Sequence, residues 1–469
     1  MITIFVSLIN VVVQSAVALL SLAIASRYLD VDSFSIWALA GATFAYVSLL
    51  DAGASMIVQR NVASRRPDLV HDAETMAKTL FVVIGGAGLA VFVIGELASE
   101  FVYIAMIGSM MIRVSVNVLG AVLVAEGAAV AERISRMSSS ATLLLLQYVL
   151  LHGNLGIASW GISVLVAAGV YLAMLLALSG SVRRIMADAV VAFSMFRKYR
   201  SDHVNWLFYT IPGLFIYNFQ VFGLKFWATI EAVAVFAAAH QLYYSTISVF
   251  SITSVLSSVA ISKHHYAQSE RRNETVFTNL RTNSLLVTLA LVLVSVLLIP
   301  LGSLLFPRIP FGGYWLVFAA YGFFLVLEAA QMALTNALIS AGETDFKLVN
   351  IVSAMLNVVG CYLLVPHFGI SGAVLAVGMA QLVTCNYYNI RKAIRLLSLP
   401  VVQVVRTIGL SLIIYLVLVS AHWLAHGLGN HAGNVVDALI VCGIAAFELL
   451  YVLPRLLGIV EEYRLSKSP

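Results

Sequence analysis

The chain has 469 residues, of which 61% are hydrophobic and only 10% are charged. An ordinary soluble domain carries about 25% charged residues, so this composition and the mean hydropathy of +0.98 exclude a soluble enzyme, a nucleic-acid-binding protein and a disordered chain. A membrane-spanning helix needs about 20 apolar residues. The sequence therefore predicts an all-α polytopic membrane protein.

Apolar runs long enough to cross a bilayer follow one another along the chain. Residues 1–29 lack the basic lead of a signal peptide, so we interpret them as the first span, and the missing lead leaves a start further upstream open. The connections are too short for an external domain. The runs predict about fourteen transmembrane helices, at residues 2–28, 34–57, 77–97, 101–125, 139–157, 159–182, 203–226, 231–261, 283–306, 313–341, 346–365, 370–394, 401–425 and 434–458.

The basic residues predict the orientation of these spans. The net charge of +5 reflects topology here, because the cytoplasmic loops of membrane proteins are enriched in Lys and Arg. With the predicted spans alternating, 23 of the 27 basic residues fall on one side of the membrane. Arg27, Lys225 and Arg308 fall on the other side, and Arg113 lies within a span. Both termini are therefore predicted to be cytoplasmic.

The second half of the chain weakly repeats the first. The matching segments keep chain order at a nearly constant offset: 28–38 with 227–237, 155–157 with 368–370, and Gly127 with Gly342. Six spans separate the partners, so both copies have the same orientation, as in transporters with parallel repeats.

This repeat predicts the domain organisation. We expect two pseudo-symmetric six-helix lobes, an N-terminal lobe at residues 1–200 and a C-terminal lobe at 201–400. Two additional helices and a short cytoplasmic tail would follow at 401–469.

Three segments resemble one transporter family. Residues 27–37 carry Arg-Tyr-Leu followed by Phe and Trp, residues 50–53 read Leu-Asp-Ala-Gly, and residues 341–373 carry Ala-Gly-Glu-Thr and later Pro-His-Phe-Gly-Ile-Ser-Gly-Ala. They resemble motifs of the Wzx-type polysaccharide flippases, a branch of the multidrug/oligosaccharidyl-lipid/polysaccharide (MOP) exporter superfamily. Family glycines are replaced by Asp30 and Ser35, and by Thr229 and Ala234 at the repeat positions.

The resemblance implies a non-enzymatic function. A flippase of this family moves a polyprenyl-diphosphate-linked oligosaccharide across the bacterial inner membrane by alternating access, for O-antigen, capsule or exopolysaccharide biosynthesis. Lipopolysaccharide biosynthesis is a further surface-glycan pathway that such a flippase serves. A cation-coupled multidrug exporter and a lipid II flippase of the same superfamily remain alternatives. The short loops disfavour an intramembrane glycosyltransferase.

Arg113 is the first candidate for contact with a substrate diphosphate. Charges inside spans are costly and often functional, and a guanidinium can hold a phosphate through two parallel hydrogen bonds. Asn117 lies one turn further on the same face. The offset between Gly127 and Gly342 places Glu328 at the position equivalent to Arg113, with Gln331 extending its face. We hypothesise that Arg113 and Glu328 pair in one transport state, while a structural ion pair between helices is the alternative for Arg113.

Three further charged residues are candidates with simpler alternatives. Asp51 matches the second family motif and is a gate or coupling candidate, or a helix-packing residue. Arg27 matches the first motif and is a gate or interface candidate. Lys225 is a cavity candidate, although its side chain could instead extend to the membrane interface.

Polar stripes mark spans 1 and 8, which line the cavity in relatives. Asn10 and Gln14 share a face of span 1, and His240 and Tyr244 share a face of span 8. His240 could couple transport to protons. Such stripes also hold membrane helices together.

No cofactor is predicted, because the sequence contains no P-loop, no His-Glu-x-x-His and no recognisable metal motif. The predicted partners are the lipid-linked oligosaccharide and membrane lipids. A polysaccharide polymerase and a coupling proton or Na⁺ are further candidate partners, and nucleic acid is not one.

Overall fold

The computed structural model describes residues 2–63, 66–97, 102–188, 190–250, 271–341, 345–428 and 430–447, together with Ser257, Ile261 and Glu343. All regular secondary structure in these ranges is helical. Eleven of the described helices are long and apolar enough to cross a membrane. The protein is therefore a multi-pass helical membrane protein, as predicted.

The chain divides into two compact units, Met1–Phe222 and Gly223–Pro469. The first unit contains α1 (Ile2–Tyr28), α2 (Val31–Val47), α3 (Ala54–Ala63), α4 (Pro67–Leu97), α5 (Val102–Ala125), α6 (Ala129–His152), α7 (Ala158–Leu178), α8 (Gly180–Asp188), α9 (Ser194–Lys198) and most of α10 (Arg200–Trp227). The second contains α11 (Ile230–Phe250), α12 (Arg271–Val296), α13 (Leu298–Leu305), α14 (Trp315–Ser340), α15 (Lys347–Gln381), α16 (Tyr387–Leu396), α17 (Val401–Gly427) and α18 (Asn430–Phe447).

The predicted number of fourteen spans is not reached among the described residues. The described part of predicted span 14 is a shorter apolar helix over Gly433–Ile444, and predicted span 8 continues from α11 into residues outside the described ranges. Gly342 and Thr344 of the third family motif also lie outside them.

Predicted spans 11 and 12 lie in one helical stretch of 50 residues, Lys347–Leu396, which is interrupted at Gly369 between the two predicted spans. A straight helix of that length would measure about 75 Å, more than twice the hydrocarbon core. The backbone turns at Gly369, which has φ 52° and ψ −126°. Beyond that turn the chain folds back, because a Cβ placed on Gly360 would lie 3.0 Å from the Cβ of Ala376.

Small residues determine how closely α4 and α5 pack in the first unit. A Cβ on Gly108 would lie 2.3 Å from the backbone nitrogen of Phe92, and one on Gly95 would lie 2.3 Å from the nitrogen of Ala105. Such close backbone approach helps membrane helices to associate, because the hydrophobic effect does not drive apolar side chains together in lipid.

The predicted repeat brings equivalent backbone features into register. Asp30 caps α2 by accepting a hydrogen bond from the Ser33 nitrogen at 2.7 Å, and Thr229 caps α11 by accepting one from the Ala232 nitrogen at 3.1 Å. The two caps occupy the same place in the matching segments 28–38 and 227–237. Gly156 and Gly369, which also match in the repeat, both have positive φ, of 58° and 52°. The family glycines missing at 30 and 229 are thus replaced by side chains that cap a helix.

Four predicted boundaries are wrong, and the first is the start of span 3, whose helix begins at Pro67 rather than 77. Span 2 does not run unbroken over 34–57, because the helix ends in a 3₁₀ turn at Ser48–Asp51 and the chain then passes through Ala52 and Gly53 at positive φ. Span 5 begins at Ala129 rather than 139, and the helix of span 9 begins at Arg271 rather than 283. Charged and polar residues at both starts concealed them, since low hydropathy masks a helix whose polar groups are buried against protein.

Candidate functional site

Arg113 lies in the middle of α5, about 18 Å along the helix from its end at Ala125. One of its terminal nitrogens donates a hydrogen bond to the Ser139 hydroxyl on α6. Its guanidinium also lies over the Tyr171 ring on α7, 5.5 Å from the ring centroid. The side chain therefore joins three helices of the first unit, as expected of an arginine too deep to reach either interface.

A buried carboxylate lies next to this contact. Glu132, one turn into α6, pairs with Arg136 at 2.6 Å and with Arg133 at 2.9 Å. It also accepts a hydrogen bond from the Tyr171 hydroxyl at 2.9 Å. The Arg136 guanidinium lies on the same tyrosine ring, 5.7 Å from its centroid. Tyr171 thus connects Arg113 to the Glu132 pair, and we call these five residues the arginine cluster.

The accessible charge of the arginine cluster is positive. The Glu132 side chain has 0% exposure, whereas those of Arg133 and Arg136 retain 30% and 31%. Three guanidiniums against one carboxylate leave a net charge of +2. The carboxylate is enclosed and pairs with Arg133 and Arg136, whose side chains remain partly exposed. Glu132, Arg133 and Arg136 are not among the residues predicted from the sequence, because the low hydropathy of their segment predicts a loop.

The span 1 candidates connect to the same helix. The Ser140 hydroxyl on α6 donates to Oε1 of Gln14 at 3.0 Å, and Nε2 of Gln14 donates to Oδ1 of Asn10 at 3.5 Å. Ser140 directly follows the Ser139 that binds Arg113. Asn117 is half-buried on α5. The first unit therefore brings Asn10 and Gln14 close to the arginine cluster along α6.

Glu328 lies in the second unit, near the middle of α14, where it is 3% exposed. Tyr244, Tyr321 and Cys385 are close enough to experience its charge. Gln331 is also buried, and its Nε2 donates to the Thr335 hydroxyl at 2.8 Å. The observed contacts of Arg113 are all within the first unit, and its pairing with Glu328 stays a prediction.

The second unit buries polar side chains of α12 that the hydropathy pattern does not mark as a site. Helix α12 carries polar side chains that are almost wholly buried, and the Asn283 amide donates to the Ala329 carbonyl of α14 at 2.9 Å. At about 3.6 residues per turn these residues surround the helix rather than forming one face. They are Asn279, Thr282, Asn283, Ser284 and Thr288.

His240 is held in a structured aromatic environment. Its Nδ1 hydrogen-bonds the Tyr321 hydroxyl at 2.7 Å, and its ring stacks on Phe236 and on Tyr244, at centroid distances of 5.6 and 5.4 Å. Tyr244 is 40% exposed and forms the accessible end of the stack. These contacts favour a structural role for His240.

The remaining charged candidates lie at helix ends. Asp51 accepts a hydrogen bond from the Ser55 nitrogen at 3.0 Å and so caps α3 after the break in span 2. The carbonyl of the next residue, Ala52, contacts His203 Nδ1 at 2.7 Å. Arg27 and Lys225 are exposed in the last turns of α1 and α10. For Lys225 this position suits extension to the membrane interface.

Two other features of the second unit were not foreseen. An apolar groove of about 440 Å³ lies between α12, α17 and α18, with Leu289, Leu418 and Leu439 among its lining residues. At the end of α17, His422 and His426 meet Asp437 of α18. Neither feature has a sequence motif, because each depends on how these helices pack.

No known protein family and no curated protein matches the chain by sequence. Solved structures do match its fold. An inward-facing multidrug resistance MATE family transporter of the MOP superfamily is 16% identical, over 82% of this chain and 96% of its own, with a TM-score of 0.62. An outward-facing MATE transporter of that superfamily is 16% identical, over 83% and 95%, with a TM-score of 0.55.

The lipid II flippase MurJ, in an inward closed conformation, is 13% identical. The match covers 96% of this chain and 98% of that one, with a TM-score of 0.64. These neighbours are transporters and flippases rather than enzymes. The chain has the fold of the MOP superfamily transporters.

Proposed function

We propose that this protein is a flippase for a polyprenyl-diphosphate-linked oligosaccharide in the bacterial inner membrane. The observation that carries the proposal is the arginine cluster. Buried charge in a membrane helix is costly and seldom kept without a function. Here the buried charges belong to a cluster whose exposed side chains are cationic, and such a surface suits an anionic head group.

The chemistry of the cluster fits a diphosphate. An arginine can form two parallel hydrogen bonds to one phosphate group. The side chains of Arg133 and Arg136 are both partly exposed, so one diphosphate could bridge them. Arg113 lies deeper on the same tyrosine ring and could receive the group as it moves inward. No chemical bond breaks during this transport.

The apolar groove suits the lipid part of the substrate. Its lining residues are aliphatic or aromatic except for Gly443, and two of its three helices belong to the segment after residue 400. The MurJ match covers 96% of this chain, against 82% for the MATE transporter. The extra coverage is about as long as α17, α18 and the tail together.

A multidrug exporter is the main alternative, since the MATE transporters share the fold. Cationic drugs require accessible acidic groups. Glu132 and Glu328 are both almost fully enclosed, which disfavours these two carboxylates as sites for such a drug. A lipid II flippase is the second alternative and shares the diphosphate chemistry. Coupling to a proton or Na⁺ and association with a polymerase are further parts of the proposal.

The test is to delete the gene in its host and to extract the polyprenyl-diphosphate lipids. Loss of the flippase should trap glycan-loaded lipid on the cytoplasmic side and remove the surface polysaccharide. Plasmid-borne wild type should restore both. Arg136→Ala and Arg113→Ala, expressed at normal levels, should fail to do so, and Arg113→Lys should restore transport only in part because lysine cannot form the paired hydrogen bonds.

Arg183→Ala is the matched control, because Arg183 is an exposed arginine of α8. It should restore transport fully. Unchanged lipid pools together with new drug sensitivity in the deletion strain would support the exporter instead. Accumulation of lipid II with normal surface polysaccharide would support the lipid II alternative.

A further inference from the structure

Two imidazoles and a carboxylate meet at one end of the second unit. His422 and His426 lie one turn apart on α17 and therefore on the same face. Asp437 on α18 contacts both, with its Oδ1 2.5 Å from His422 Nδ1 and its Oδ2 3.0 Å from His426 Nε2. The three potential ligand atoms lie within 4.8 Å of one another.

Neighbouring residues position the two imidazoles. The Trp315 ring of α14 lies 5.1 Å from the His422 ring, and Trp315 is itself fixed by a hydrogen bond from its Nε1 to the Ser295 carbonyl at 2.8 Å. Gly433 lies against the His426 ring, where a Cβ would come within 2.5 Å of Nδ1. The absence of a side chain at Gly433 therefore lets α18 approach α17 at the level of His426.

We propose that His422, His426 and Asp437 bind a divalent transition-metal ion of the zinc class. Imidazole nitrogens and a carboxylate oxygen are a common ligand set for Zn²⁺, which accepts three protein ligands and keeps a fourth position open. A metal bound at about 2.0–2.2 Å from each ligand requires the ligand atoms to lie roughly 3–4 Å apart. The present separations, from 2.5 Å to at most 4.8 Å, differ from that condition by about 1 Å or less.

The burial of the three residues fits a bound ion. His422 is 9% exposed, Asp437 20% and His426 35%. The ligands are thus enclosed on the side of α14 and open on the side of His426, which gives an ion a route of entry. In the predicted topology this end of α17 faces the outside, where metal ions from the medium can reach it.

A bound ion would join α17 to α18 directly. The two helices are the additional C-terminal pair, and the ligand set takes two groups from one and one from the other. Metal binding of this kind stabilises the folded arrangement, because the unfolded chain lacks the preformed site. The inference is independent of the transported substrate.

The experiment uses the full chain, purified in detergent with a tag that contains no histidine and stripped of metal with EDTA. Zn²⁺ and Co²⁺ are then titrated, and bound metal is counted per chain by mass spectrometry. We expect one ion per chain, little response to Mg²⁺, and a higher thermal unfolding midpoint with Zn²⁺. Paramagnetic Co²⁺ should also quench Trp315 fluorescence, and Trp315→Phe should remove that part of the quenching.

His426→Gln and Asp437→Asn should each weaken binding by more than about 100-fold, the upper end of what loss of an outer-shell partner costs. His367→Gln is the matched control, because His367 is exposed elsewhere in the second unit, and it should bind as wild type does.

His426→Cys keeps the proposal falsifiable if the other variants fold poorly. A thiolate also binds Zn²⁺ and Co²⁺, so this variant should retain one ion and gain a thiolate-to-cobalt absorption band that His367→Cys lacks. The proposal is overturned if wild type binds no ion at micromolar Zn²⁺. It is equally overturned if His426→Gln and Asp437→Asn bind as tightly as wild type, or if His426→Cys shows no such band.

Discussion

In each unit a tyrosine hydroxyl packs against a glycine, but the two hydroxyls donate hydrogen bonds to different kinds of group. A Cβ on Gly120 of α5 would lie 2.2 Å from the Tyr171 hydroxyl, and one on Gly322 of α14 would lie 2.1 Å from that of Tyr415. Tyr171 donates to the carboxylate of Glu132, whereas Tyr415 donates to the Ala319 carbonyl.

The second unit shows that a neutral arrangement suffices for packing. The Tyr415 hydroxyl also hydrogen-bonds Ser295 at 2.7 Å, and Ser295 hydrogen-bonds Tyr243 at 2.9 Å. No charged group takes part in these contacts. The first unit instead places ions in its interhelical contacts, and because buried charge in a membrane helix is costly we connect these ions to substrate binding.

The largest effect that separates the two units should come from Glu132→Ala. The substitution would leave Arg133 and Arg136 without their carboxylate, and breaking a buried ion pair by removing one partner costs about 3–5 kcal/mol. We expect a large fall in the thermal unfolding midpoint in detergent. Glu126→Ala is the control, because Glu126 is exposed just beyond α5, and it should unfold as wild type does. A Glu132→Ala midpoint within error of the control would refute the structural role of the cluster.

The second largest effect on stability should come from Tyr199, which directly precedes α10 in the first unit. The buried Tyr199 hydroxyl donates to Asp72 at 2.7 Å and accepts from the Asn61 amide at 2.8 Å. Because one bond goes to a charged group, Tyr199→Phe should cost about 1.5–3 kcal/mol. Tyr362→Phe, at an exposed tyrosine of the second unit, should cost almost nothing.

The pH dependence of the stability difference between wild type and Tyr199→Phe can be predicted. Burial raises the pKa of the Tyr199 hydroxyl to about 12, against about 10 in the unfolded chain. A raised pKa means that the neutral phenol stabilises the folded state fully below pH 10 and that this stabilisation is lost as the pH rises towards 12. Unfolding midpoints of wild type and Tyr199→Phe should therefore differ by a constant amount up to about pH 10 and converge above it. A constant difference through pH 12 would contradict the raised pKa of the Tyr199 hydroxyl.

A third comparison uses the glycine–tyrosine contacts themselves. Gly120→Ala should cost about 1–3 kcal/mol, because the added methyl overpacks against the Tyr171 hydroxyl. In a Tyr171→Phe background the added cost of Gly120→Ala should be smaller, since the next tyrosine atom lies 3.2 Å from the new Cβ. In a Tyr415→Phe background the added cost of Gly322→Ala should fall less, because ring atoms of Tyr415 and Tyr243 remain at 2.9 and 3.0 Å. Thermal midpoints of each glycine variant, measured against its own tyrosine or phenylalanine parent, test the ranking, and an equal fall in both units would reject it.

Much of the fold was predictable because membrane burial has a strong signal in sequence. Long apolar runs gave the helices, and the resemblance indicated the transporter fold that solved structures share. The internal repeat also matched Asp30 with Thr229 and Gly156 with Gly369, where the structure has matching caps and turns. These features are local, so their residues carry the information.

The candidate site was predicted only in part, for a physical reason. Arg113 was identifiable because a charge inside an apolar run is conspicuous. Glu132 and Arg136 were not, because each lowers the hydropathy of its own segment, and only the packing of α6 on α5 and α7 encloses them. His422 and Asp437 lie on different helices, and the turn between those helices brings them together.

The smallest effect should be nearly equal in the two units, because it concerns what they share. Alanine costs about 1–2 kcal/mol in the left-handed region and at least that at the φ 52° and ψ −126° of Gly369, and neither Gly156 nor Gly369 has an atom within 4 Å of an added Cβ. Gly156→Ala and Gly369→Ala should therefore lower the thermal midpoint by similar amounts through the backbone alone. Gly169→Ala, equally uncrowded but inside α7, should be neutral or slightly stabilising, because glycine weakens a helix interior. If only one of the two substitutions lowered the thermal midpoint, the turns at Gly156 and Gly369 would not be equivalent. The repeat would then include the helix caps at Asp30 and Thr229 but not these two turns.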